Sequence, residues 1–179
     1  MKYQDLYNQG RLASGQEAID FYTQSLKLYD GSDNLAWLYR AMELNGLEKY
    51  EDLYNQGREL SGQEAVELYT QSLELYGGSD NLAWLYRAME LNGLERYEEA
   101  IQDAEAYIGV KPNPSRFMGW FQKGLGLSGL ERYEEALEAF NKAIELNPGF
   151  AEFYLGRMVA KQALGIPYTD DIELAKYYS

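Results

Sequence analysis

Between Leu82 and Pro148, small, aromatic and helix-ending residues are written twice in the same order, thirty-six residues apart. Trp84, Ala88 and Leu91 fall on one face at the three-to-four spacing of a helix, and this segment is expected to stop near Asn92-Gly93. After a short turn, Tyr97, Ala100, Ala104 and Tyr107 mark one face of a second helix that must end before Pro112. Trp120, Gly124 and Leu127, a break at Ser128-Gly129, and then Tyr133, Ala136, Phe140 and Ala143 repeat the pattern, closed by Pro148. The periodicity therefore predicts helix, turn, helix, turn, twice over.

A longer period lies upstream. Residues 3–49 and 50–96 align without a gap at an offset of 47, with 38 of the 47 pairs identical. Each copy holds three helical segments. In the second copy these run from Tyr50 to about Leu60, from Gln63 to Tyr76, and from Asn81 to Leu91. Ser61 followed by Glu64, like Ser14 followed by Glu17, has the spacing of a reciprocal helix-start cap. Gly77-Gly78 stops the second segment. Downstream, Phe150 to about Leu164 forms a further helix carrying Tyr154, Met158 and Leu164, ended by Gly165-Ile166-Pro167. Thr169 is placed to cap a last helix, Asp170 to Tyr178, whose acidic start suits the positive end of the helix dipole. Tyr177 and Tyr178 make that terminal helix amphipathic, so it is either a cap or a surface for a neighbouring molecule.

Residues 119–148 resemble the tetratricopeptide repeat, whose signature places Trp, a small and a large apolar residue on a first helix, and Ala, an aromatic and a final Pro around a second. Trp120, Gly124, Tyr133, Ala136, Phe140, Ala143 and Pro148 occupy signature positions. Arg87 and Lys123 stand where the family prefers Leu, Ala88 replaces a Gly, and Ala104 and Tyr107 reverse the usual order of small and large. The resemblance implies an all-α, right-handed α-solenoid of antiparallel helix pairs, with about eleven short helices. One repeat domain then spans 1–179, comprising the copies 3–49 and 50–96, units at 82–112 and 115–148, and a terminal repeat with its capping helix at 149–179.

The two periods conflict in phase. If helices alternate strictly between layers, the near-identical Trp37 and Trp84 segments fall in opposite layers. Either an odd helix packs as a spacer, or a segment is exchanged between two molecules.

Composition narrows the chemistry. No run approaches the roughly 18 uncharged apolar residues of a membrane span, and no leader is visible after Met1-Lys2. The 179 residues include no Cys and no His. Disulfides, thiolate nucleophiles and cysteine metal sites are thereby excluded, the side chain most often used for proton transfer near neutrality is missing, and cytoplasmic residence is expected. A formal net charge of -13, with Lys and Arg scattered singly, argues against nucleic acid.

Nothing in the sequence points to catalysis, a cofactor or a metal. Glu98-Glu99 and Glu134-Glu135 read as helix-start carboxylates beside Arg96 and Arg132. Gly124-Leu125-Gly126 lies within a helix stripe and reads as close helix packing. Asp30-Gly31-Ser32-Asp33 lacks the later Glu of a calcium loop, and the second copy has Gly77 in place of Asp30.

The family resemblance implies that first helices line a concave groove. Its side chains would be Leu38, Tyr39, Met42 and Asn45, then Leu85, Tyr86, Met89 and Asn92, then Phe121, Gln122, Leu125 and Ser128. Family members that grip a peptide's terminal carboxylate use Lys, Arg and Asn at such positions, whereas none of these twelve is basic. The expected ligand is therefore an apolar or amide-rich peptide or helix, not an acidic tail. The reading is a non-catalytic protein-interaction scaffold. The alternative is a natural or designed self-assembling repeat protein, with no dedicated ligand and an extended stack or segment-exchanged dimer.

Overall fold

The structure, a computed structural model, describes residues 3–13, 15–28, 49, 51–75, 82–110 and 114–179. Helix α1 spans Tyr3–Leu12 and α2 Gly15–Leu28, and residues 51–58 form a helical run, α3. Helices α4 (Gly62–Leu75), α5 (Leu82–Gly93), α6 (Tyr97–Gly109) and α7 (Arg116–Gly129) follow. Helices α8 (Tyr133–Leu146), α9 (Ala151–Ala163) and α10 (Thr169–Tyr177) complete the chain. Among the described residues nine helices are bounded at both ends, against about eleven expected, and no strand occurs. The helical run α3 is a tenth, and the expected Trp37 helix lies outside the described residues. So does the conflict of phase that turns on it.

From α4 onward each helix packs on the next. In addition α5 touches α7 and α7 touches α9, while no comparably close approach joins α6 to α8 or α8 to α10. First helices thus lie side by side and second helices stand apart. The array bends with α5, α7 and α9 on its inner side, the arrangement of an α-solenoid in which each unit buries its apolar stripe against its neighbours.

The stripes carry the core. Ala65, Tyr69, Leu73 and Ala83 form one cluster, sealed by Tyr54, Trp84 and Tyr86. Ile101, Leu127, Ala136, Ala139, Phe140 and Ala160 form another. Small residues let the helices approach: a Cβ on Gly124 or on Gly156 would lie 2.6 Å from Cε1 of the fully buried Phe140 ring. In the duplicated block, Ala18, Ile19, Tyr22 and Ser25 are buried as Ala65, Val66, Tyr69 and Ser72 are.

Helix ends differ in detail from the sequence reading. Helix α5 is closed two residues past Gly93, where Glu95 adopts φ 60° and the Arg96 amide donates to Leu91 O at 2.9 Å. Glu131 (φ 59°) and Gly165 (φ 69°) hold the same place after α7 and α9. Gly129 is small for another reason: a Cβ there would come within 2.4 Å of the Tyr97 ring. Thr169 does not cap α10 but is its first residue, and no side chain caps that end. The first turn is instead anchored from within, because Asp171 is drawn into the interior by Arg157 and Lys161. At the start of α4, the Gly62 amide donates to Glu90 Oε2 on α5 at 2.6 Å, so a neighbouring helix supplies an acceptor where a local cap was expected.

Candidate functional site

Between α5 and α7, with Tyr97 of α6, lies an open cavity of about 570 Å³ lined by Met89, Asn92, Gly93, Tyr97, Gln122, Leu125, Ser128 and Gly129. Five of the twelve residues expected to face the groove, Met89, Asn92, Gln122, Leu125 and Ser128, therefore meet in one depression. None of the lining residues is charged. Met89 is exposed, whereas Asn92, Leu125 and Ser128 are half-buried.

The other expected residues behave differently. Leu85 is buried in the helix contact instead of facing the groove. Tyr86 packs with Tyr54 and Tyr69 at ring separations of 5.6 and 6.1 Å, and Phe121 lies 4.9 Å from Phe153, so both are committed to packing. The amide row is spent internally: Asn92 Nδ2 donates to Gln122 O and Oε1, each at 3.0 Å, tying α5 to α7. Leu38, Tyr39, Met42 and Asn45 lie outside the described residues.

Two exposed apolar side chains escaped the sequence reading. Leu155 and Val159 on α9 are 45% and 49% exposed and continue the stripe of Phe121 and Leu125. Their signal was present, since they follow those two residues at a spacing of thirty-four, close to the repeat period.

The opposite faces of the first helices carry a ladder of cations at the same period. Arg87 forks onto Asp103, with Nε to Oδ2 at 2.6 Å and Nη2 to Oδ1 at 2.8 Å, and Nη1 donates to Thr70 Oγ1 at 2.9 Å. Arg157 repeats this between Asp171 and Asn141. Lys123 holds only the backward bond, to Glu105 at 2.6 Å, because Ala139 stands where Asp103 stands in the preceding unit. Each cation also lies over the aromatic ring three residues before it: Trp84 at 5.0 Å, Trp120 at 5.4 Å and Tyr154 at 5.5 Å. Arg87 and Arg157 thus combine an apolar stem against a ring with a bridge between successive second helices, whereas Lys123 keeps the ring contact and a single ion pair. Missing its Asp, the middle rung is roomier. The cavity beside Lys123 and Ala139 is about 410 Å³, against about 260 Å³ beside Arg87 and Asp103.

Protonation follows this packing. Burial pushes the Asp103 carboxyl above its ordinary value, with the Arg87 guanidinium opposing. Burial, then the charges of Glu90 and Tyr86, raise the Tyr69 hydroxyl to about 12, so it remains a neutral core group. One acid at each of two helix starts shows the reverse. Hydrogen bonds from Arg96 and Arg132 hold Glu99 and Glu135 below the usual carboxylate range, the wrong direction for a general acid. Among the described residues no group of three or more acidic side chains is placed to hold a metal ion, and no helix is long and apolar enough to cross a membrane.

Stacked antiparallel pairs, an uncharged inner groove and a periodic ladder define a helical-repeat α-solenoid. Residues 118–150 match the family model described as tetratricopeptide repeat, and that stretch is such a repeat. No curated protein matches the chain. Among solved structures, a crystal structure of MamA protein is 19% identical with a TM-score of 0.61, covering 98% of this chain and 87% of that one. MamA 41-end from Desulfovibrio magneticus RS-1 is 19% identical with a TM-score of 0.55, covering 98% of this chain and 90% of its own. At such identity the likeness is one of fold.

Proposed function

We propose that this chain is a non-catalytic protein-interaction scaffold whose inner groove receives an apolar or amide-rich peptide or helix. The observation that carries the reading is the roughly 570 Å³ depression lined wholly by uncharged side chains on a chain of net charge -13. An uncharged patch on so acidic a surface favours ligands that bury apolar area, and the absence of Lys and Arg from it disfavours carboxylate tails. Met89, Leu155 and Val159 supply exposed apolar contact, while Asn92 and Gln122, bonded to each other, and Ser128 form an uncharged polar floor. The partner is a protein or peptide, with no role for nucleic acid, membrane, cofactor or metal, and the compartment is cytoplasmic.

Selection from a displayed library of random peptides tests this. Recovered sequences are expected to be apolar or amide-rich and to lose binding to a Met89→Ala/Val159→Ala chain of unchanged helicity and melting. Recovery of acidic or basic consensus peptides, or binding untouched by those two substitutions, would overturn the groove reading. Tyr86→Ala is a poor probe, because that ring belongs to the core.

A further inference from the structure

The seat of α4 on α5 and α6 is built from contacts that the chain encodes twice. Gly62 donates to Glu90, Gln63 accepts from Arg96 Nη1 at 3.0 Å, Thr70 accepts from Arg87, and Tyr69 stacks on Tyr86 with Ala65 beside it. Forty-seven residues earlier, α2 carries Gly15, Gln16, Thr23, Tyr22 and Ala18 at the same five positions. The partner hairpin helix is duplicated too, with Tyr7 and Gly10 matching Tyr54 and Gly57. Only Ile19 for Val66 alters a buried α4 residue, by one methylene.

We propose that the α5–α6 seat accepts the α1–α2 hairpin of a second copy of this chain in place of its own α3–α4. Nothing in the contact set separates the two hairpins. Tyr22 and Tyr69 are equally buried where they stand, so exchange trades one set of contacts for its near-duplicate at little net cost. The receptor is duplicated as well, since residues 35–43 repeat 82–90 residue for residue, which gives a displaced hairpin an equivalent sequence to meet. What selects the native hairpin is the tether. The six residues 76–81 between α4 and α5 hold α4 at an effective concentration of about millimolar or more, so the chain is monomeric at micromolar concentration. Weakening α4 alone removes that advantage and leaves the competing hairpin intact. This inference is independent of what the inner groove binds.

Light scattering on the full chain over a wide concentration range tests it. Tyr69→Ala is expected to associate as a dimer with a constant at least about tenfold above that of the unaltered chain. Tyr22→Ala/Tyr69→Ala, which lacks the competing ring, is expected to return to monomer. Should Tyr69→Ala lose its helical signal, Val66→Ala against Ile19→Ala/Val66→Ala provides the same comparison with a smaller truncation. A variant weakened in α4 that stays monomeric throughout, or a dimer that persists unchanged when the α2 residue is also truncated, overturns the proposal.

Discussion

The ring of Phe140 occupies the space that a methyl group would need on Gly124. A Cβ added there would lie 2.6 Å from Cε1 and 2.8 Å from Cδ1. The ring cannot retreat, because Gly156 on the other neighbouring helix is equally close to the same edge. Gly124→Ala gains about 1 kcal/mol of helix propensity but forces overpacking that costs about 1–3 kcal/mol. The expected outcome is net destabilisation in urea unfolding, and Gly124→Ala with Phe140→Leu should be less damaging than the sum of the two. Additive losses would show that the glycine is not there for the ring.

The Arg87–Asp103 pair makes a second prediction. With side chains only 17% and 6% exposed, removing one partner strands the other. Asp103→Ala is expected to cost about 3 kcal/mol. Replacing both by Leu, the residue preferred at position 87 by the repeat signature, should be neutral or stabilising, because no buried charge is left over. Chemical denaturation of both variants distinguishes these outcomes, and equal losses would contradict the pairing.

Acidity offers an independent check on the same carboxyl. Burial raises its folded value above the ordinary 3.8, so the folded chain holds the proton more tightly than the unfolded one. The stability it contributes is full below about pH 3.8 and declines as pH rises through the folded value. In parallel urea titrations, the stability of the unaltered chain minus that of Asp103→Asn should increase as the pH is lowered through this window. A difference that shrinks on acidification would mean the guanidinium, not burial, dominates.

At the turn after α7, Glu131 sits at φ 59°, where Gly165 sits after α9 at φ 69°. A side chain in the left-handed region costs roughly 1–2 kcal/mol, less the flexibility that glycine adds to the unfolded chain. Glu131→Gly is therefore expected to raise stability by about 0.5–1 kcal/mol, readable as a higher melting temperature. A lower one would show that the carboxylate compensates for its backbone.

Much of this was legible in the sequence. Paired helices, their stops and the close approach at Gly124 follow from periodicity and residue size. Met89, Asn92, Leu125 and Ser128 could be placed together because the repeat carries them at one spacing. Leu85, expected in the groove, is buried in the helix contact, since adjacent positions on a helix straddle the edge of its apolar stripe; Gln122 does line the depression but is itself buried. The unusual Arg87 was visible as a departure, but its partners Thr70 and Asp103 lie on two other helices, and only the fold brings them together. At the start of α4 the Gly62 amide is satisfied by Glu90 from a neighbouring helix, and Thr169 is the first residue of α10 and not its cap, neither of which local spacing shows.

The groove itself is tested most directly by methyl NMR of the full chain titrated with a peptide recovered from the displayed library. Shifts are predicted at Met89, Leu125, Leu155 and Val159, which line the inner side, with little change at Leu127 and Ala139 beneath the ladder. Shifts concentrated at Leu127 and Ala139, with Met89 and Val159 silent, would contradict the account.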